Sequence, residues 1–280
     1  MQSWQNMTLA GLAALGLALT SAGARAAAPA DAPTAAADEA PVAAAQATDG
    51  AEPAEEIFTL RPFRAIYRVS AGVLSGSLTL ELEHRTGEDW VLTSVATTRG
   101  MARLFRRGDL VERSVFRFTP DGIKPMEYVR DDGISGPDRN AALIFSHEDG
   151  RVFGTDREYE VDLPMNGEVI DRLSMQVRLM HDLTRGLRPD EYAVIDRGEI
   201  REMDIRYAGD ERIEIGEHAF DTLRLDHQSR NSSRNTRLWT SVEHEFLPVR
   251  IEQQRRGSTE WLGVLQEVRW GEAPGEANGT

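Results

Sequence analysis

Residues 63–84 read FRAIYRVSAGVLSGSLTLELEH, and their alternation decides the fold. Phe63, Ala65, Tyr67, Val69 and Ala71 alternate with Arg64, Arg68 and Ser70. Past Gly76, Leu78, Leu80 and Leu82 alternate with Thr79, Glu81 and Glu83. A period of two sends successive side chains to opposite faces of a strand, so each run offers one face to a core and one to water. The pattern returns in Tyr159, Val161 and Leu163 between acids, and in Met203, Ile205 and Tyr207 around Asp204 and Arg206. Turn signals separate these runs at Thr86-Gly87, Asp121-Gly122, Asp149-Gly150, Gly209-Asp210 and Arg256-Gly257. Such short spacings predict antiparallel hairpins in a meander of roughly a dozen strands.

One segment departs from period two. From Asp171 to Arg185, Leu173, Val177 and Met180 share a helical face, with Met175, Leu179 and Leu183 beside them. Asp171 is placed to cap the first turn, and Gly186 and Pro189 follow the last. The spacing predicts a helix over 171–185 of about four turns. A large sheet with a single apolar-striped helix must lay that helix on an inner face or curl around it. The expected fold is therefore mainly β: a large curved antiparallel sheet or half-open barrel, with one long helix in the second half. A two-sheet sandwich is the alternative.

Outside this region the chain changes character. Met7 to Leu19 is an uncharged run of small residues and leucines, and Ala24-Arg25-Ala26 completes a signal-peptidase pattern. Residues 1–26 read as a signal peptide, with export to the periplasm. Residues 27–56 are rich in Ala and Pro, hold seven acids and no base, and lack large apolar side chains. Such a stretch buries too little to offset its ordering entropy, so a disordered linker is expected there and a disordered tail at 272–280. One β-rich domain is expected over 57–271. That part holds 31 Lys or Arg against 37 acids, −6 of the chain's −14. A mildly acidic, mixed surface does not suit nucleic acid. The absence of cysteine excludes disulfides, thiol catalysis and a lipidated cysteine anchor.

The order of these features resembles a bacterial exported family, domain of unknown function 3108. The resemblance rests on Tyr67-Arg68-Val69 with Gly72, Gly76, Leu78 and Leu80; on Pro125-Met126 with Tyr128; on Asp171, Leu173, Ser174 and Arg178; and on Trp239 with Leu247-Pro248-Val249-Arg250-Ile251. It implies an exported β-rich domain and no particular activity.

Candidate sites are few. Ser174, Arg178 and His181 fall along one side of the expected helix and suit a polar or anionic head group if that side faces a concavity. Ser174 and His181 stand roughly 10 Å apart, too far for a nucleophile and its base. Arg103-Leu104-Phe105-Arg106-Arg107 is the one dense basic stretch. Its Arg103, Phe105 and Arg106 fit an anionic lipid surface or an acidic partner. Glu243-His244-Glu245 is a poor metal triplet, because a strand would point His244 away from its neighbours. The aromatics Trp90, Trp239, Trp261, Trp270, Tyr67, Tyr128 and Phe116 are expected mostly in the core.

No catalytic residue, metal or cofactor is expected. The leading expectation is a non-enzymatic periplasmic binding or carrier-like protein for an amphipathic ligand, a lipid or lipoprotein segment. An envelope scaffold without a cavity is the alternative, and a hydrolase or glycan-acting enzyme the third. Expected partners are such a ligand or an envelope protein, with no membrane span in the mature chain.

Overall fold

The structure is a computed structural model that describes residues 57–99, 108–230 and 232–272. The expected signal peptide and linker, nearly all of the tail, and Arg103, Phe105 and Arg106 lie outside these residues.

Eight strands form the first meander: β1 (Phe63–Ala71), β2 (Leu74–His84), β3 (Asp89–Thr98), β4 (Leu110–Thr119), β5 (Gly122–Asp132), β6 (Ala141–Ser146), β7 (Arg151–Asp156) and β8 (Tyr159–Pro164). A short strand β9 (Val169–Asp171) leads into α1 (Ser174–Thr184). Six more follow: β10 (Glu191–Asp196), β11 (Glu199–Ile215), β12 (His218–Ser229), β13 (Arg234–Ser241), β14 (Leu247–Arg255) and β15 (Ser258–Trp270). All fifteen form one sheet in the order β8-β7-β6-β5-β4-β3-β2-β1-β15-β14-β13-β12-β11-β10-β9. The sheet is thus two meanders joined where the first strand pairs the last, with Phe63 opposite Trp270. Every pairing is antiparallel except β9 with β10, which runs parallel.

The two edge strands, β8 and β9, are neighbours in sequence and do not pair with each other. Among the described residues, the sheet is a half-open barrel around one α-helix. Register shifts at Ile66/Tyr67, Val115/Phe116, Tyr207/Gly209, Trp239/Thr240 and Gln253/Gln254 mark irregularities spaced around it. Such bulges increase local twist and help a sheet curl.

The alternation read from residues 63–84 holds in β1 and β2, whereas Tyr159, expected inward, is exposed on edge strand β8. Phe63, Ala65, Tyr67, Val69, Leu78, Leu80 and Leu82 are buried on the concave face. Trp90, Trp239, Trp261, Tyr67, Tyr128 and Phe116 are buried too, while Trp270 is partly covered. The Tyr67 hydroxyl donates to Pro248 O at 2.8 Å, satisfying a polar tip inside the core.

The helix starts later than its sequence pattern suggests. Asp171 ends β9, opposite Ile195 of β10, so its backbone is committed to the sheet. Its carboxylate still accepts from the Leu173 and Ser174 amides at 2.9 and 2.8 Å. The cap chemistry is therefore present one turn early, and α1 itself has 11 residues, about three turns. Eight of them are buried. α1 lies along β5 and β9, and its Met175, Gln176 and Leu179 face β12–β15 across a small space.

Candidate functional site

Strand register places one set of connections at a common rim: 72–73, 133–140, 157–158, 197–198, 230–233 and 256–257. The residues flanking the 100–107 segment sit there too. Arg99 N donates to Ser75 O at 2.9 Å, and Asp109 O accepts from Gly133 N at 3.0 Å.

Just inside the rim, period two puts charge on the concave face. Glu112 shares that face with Ser114 and Phe116, and Arg130 and Asp132 share it with Tyr128. Asp156 and Asp196, which end β7 and β10, and Arg172, just past β9, complete the group, and all are buried. Tyr128 OH donates to Glu112 Oε1 at 2.5 Å. Arg130 reaches Glu112 Oε1 at 3.1 Å and Asp132 Oδ2 at 2.9 Å. Arg172 donates to Asp196 Oδ1 at 2.7 Å and to Tyr128 OH at 2.8 Å, and lies 3.9 Å from Asp156. Arg157 stands 3.8 Å from both Asp156 and Asp196. The Arg197 amide donates to Asp156 Oδ2 at 2.5 Å, tying the β10–β11 turn to the end of β7.

Desolvation opposes the Arg172 cation, but the anionic groups around it overcome that and raise its pKa well above the usual arginine value. Burial raises the Tyr128 phenol as well, so it stays protonated and can donate. Beside this group, burial also raises the Asp171 carboxyl, against hydrogen bonds from Ser114 and Ser174 that favour its ionised form.

Adjoining this network through Arg172 is an apolar cavity of about 40 Å³. Met175, Gln176 and Leu179 line it from α1, with Arg172 just before; His227, Thr236, Leu238, Ile251 and Trp261 line it from β12–β15. Three of these side chains carry a buried polar atom without a hydrogen-bond partner: Arg172 Nε, Gln176 Nε2 and His227 Nδ1. Burial lowers the His227 pKa to about 4, with Asp226 opposing weakly, so the ring is neutral at pH 7. A larger cleft of about 310 Å³ lies on the convex face among polar residues, including Asp204, Arg206, Gln228 and Gln254.

The helix residues singled out in the sequence sit on other sides of α1. Ser174 is fully buried, its hydroxyl within 3.2 Å of Asp171 O. His181 is fully buried between the Phe58 and Phe118 rings, at centroid distances of 5.4 and 5.2 Å, and its Nε2 lies 3.1 Å from Phe58 O. Arg178 pairs with Asp182 at 2.7 Å and Glu168 at 2.6 Å. Tyr192 OH donates to the same Asp182 carboxylate at 2.8 Å. None of the three lines the cavity. Around Glu243-His244-Glu245, a 3-10 turn directs His244 to Ser241 at 2.9 Å and Glu245 to Arg61 at 2.5 Å. Among the described residues, no group of three or more His, Asp or Glu is arranged to hold a metal ion.

A family model described as protein of unknown function, DUF3108, matches residues 63–257, from the start of β1 to the β14–β15 turn. The chain belongs to the DUF3108 family. No curated protein matches it. Among solved structures, this DUF3108 chain is similar to a beta-barrel-like protein of domain of unknown function DUF1849 from Brucella abortus. The TM-score is 0.51 at 12% identity, covering 77% of this chain and all of that one. At that identity the likeness is one of fold alone. Looser overlaps reach a putative exported protein with a YmcC-like fold from Bacteroides fragilis (TM-score 0.35, 10% identity, 76% of this chain and 98% of that one). They also reach a putative outer membrane lipoprotein-sorting protein domain from Vibrio parahaemolyticus (TM-score 0.26, 8% identity, 77% and 87%). Among the described residues of this DUF3108 chain, no helix is long and apolar enough to cross a membrane.

Sequence reading passed over Glu112, Arg130, Asp132, Arg172, Gln176 and His227. The signal was available in part. Extending period two through 112–118, 128–132 and 225–229 puts Glu112, Arg130, Asp132 and His227 on inward positions. A charge on an apolar face demands a partner.

Proposed function

We propose that the mature chain is a non-enzymatic periplasmic protein that binds an amphipathic ligand of the cell envelope. The observation that carries this reading is the apolar cavity between α1 and β12–β15. At about 40 Å³ it has room for a small group, so a longer chain requires α1 and the far wall to part. The leader-like residues 1–26 support export. In this reading Arg103, Phe105 and Arg106 meet the ligand or its carrier. Arg178 takes an anionic group by exchanging the half-exposed Glu168, while Ser174 and His181 hold α1 on its wall.

A hydrolase role gains no support from the buried carboxylates. Glu112, Asp132, Asp156 and Asp196 lie against Arg130, Arg157 and Arg172 rather than facing each other over a cleft. The small cavity does favour a second reading, an envelope scaffold with a filled core. Mass spectrometry of organic extracts from protein purified out of the periplasm separates the two. A stoichiometric amphiphile is expected; clean extracts together with no uptake in vitro leave the scaffold.

A further inference from the structure

We infer that the cavity between α1 and β12–β15 is a subsite for an uncharged acyl carbonyl, an ester or amide oxygen, held by Arg172, Gln176 and His227. This rests on the binding function proposed above and specifies which part of an amphiphile enters first.

The polar atoms set the chemistry. Arg172 Nε and Gln176 Nε2 carry hydrogens and so can only donate. Both are buried and lack a partner. His227 Nδ1, also buried and without a partner, donates in the matching tautomer. Three side chains that line one cavity, each with a buried nitrogen lacking a partner, call for an acceptor. A buried donor left unmade costs about 1–3 kcal/mol, so a native fold has reason to keep this set only if something fills it.

The walls set the rest of the ligand. Met175, Leu179, Leu238, Ile251 and Trp261 line the rest of the cavity with hydrocarbon and indole. A volume of about 40 Å³ has room for a small group such as a carbonyl.

Electrostatics then separates ester from acid. Arg172 already donates to Asp196 and lies near Asp156. Arg130, Arg157 and Arg172 together face Glu112, Asp132, Asp156 and Asp196. The cluster has no surplus positive charge among these groups, and His227 is neutral. A carboxylate entering here adds a buried anion that nothing compensates, whereas a neutral carbonyl accepts the same hydrogen bonds without that cost.

The test is displacement of N-phenyl-1-naphthylamine from the purified mature protein by 1-monopalmitoylglycerol and by palmitate at pH 7.5, both below their aggregation concentrations. The ester should displace the dye at roughly tenfold lower concentration than the acid. Gln176→Met and His227→Phe should bring that ratio close to one while the dye still binds; Gln176 is only half-buried, so at least this variant folds. Palmitate binding as well as or better than the ester overturns the inference and leaves the binding function standing. A ratio unchanged in both variants does the same. No dye or acyl uptake by the wild type overturns both together. A crystal soaked with saturating monopalmitoylglycerol that holds only an ordered water on the three atoms also overturns the subsite.

Discussion

Removing the Arg172 guanidinium takes one cation from a place where four carboxylates are buried. Asp196 loses its 2.7 Å partner, and the Tyr128 hydroxyl loses a donor. Breaking a buried pair from one side costs about 3–5 kcal/mol, because the remaining charge stays out of water. Arg172→Met should therefore lower stability in urea titrations by that order. Arg172→Lys should recover little, since one ammonium cannot serve Asp196 and Tyr128 together as the guanidinium fork does. His227 predicts a pH effect. Its pKa is about 4 in the fold, against an ordinary 6.5. Between those values the unfolded chain binds more protons than the folded one, so stability is whole above pH 6.5 and falls as the pH drops toward 4. The loss attributable to this ring reaches roughly 3 kcal/mol. Comparing urea midpoints of wild type and His227→Phe at pH 7.5 and pH 4.5 checks the sign: the wild type should lose more on acidification.

The helix is held on its wall by a contact that depends on a missing side chain. Gly122, at the turn from β4 to β5, has φ +147°, and a Cβ there falls 2.1 Å from Arg178 Nη1. The guanidinium lies flat over this glycine while pairing Asp182 and Glu168. Gly122→Ala should strain the turn and push Arg178 off, costing about 1–3 kcal/mol. Rescue by Arg178→Gln in the double variant, measured as a coupling free energy, distinguishes this from turn strain alone. The two faces of α1 should also answer differently to truncation. Met180 is fully buried, so Met180→Ala should cost about 2–5 kcal/mol. Leu179 borders the cavity, so Leu179→Ala enlarges it and should strengthen acyl uptake as stability falls. Sequence periodicity could place an apolar stripe on this helix, yet not say which side meets a wall and which meets a gap. Ser174, Arg178 and His181 share a side in sequence and lie away from the cavity, because the cavity depends on where β12–β15 stand relative to β5 and β9.

At the scale of the whole molecule, stability depends on a pairing between the two ends of the folded chain. β1 meets β15 from Phe63–Trp270 to Ser70–Leu262, and Gly271 N donates to Pro62 O at 2.8 Å. The family match ends at residue 257, before β15 begins. A chain ending at Gly257 leaves β1 and β14 each with an unpaired edge in the middle of the sheet. It should fail to show a cooperative urea transition and should aggregate, while the chain ending at Glu272 should do neither. Pairing over such sequence separation also makes folding slow, on the millisecond-to-second scale typical of non-local β topologies.

The chain's own order of residues determined the strands, most of their inward and outward faces, the helix after residue 171 and the family. These follow from local steric and hydrophobic periodicity, which any window of ten residues carries. It also contained the inward charges at 112, 130, 132 and 227, since a period of two assigns their face. Only the folded molecule decided that Glu112, Arg130, Asp156, Arg172 and Asp196 form one network. It alone made the helix begin after β9 pairs with β10, and left an unfilled space beside Gln176 and His227. Contacts between distant strands are set by register, curl and side-chain volume acting together, and no short stretch of sequence holds that sum.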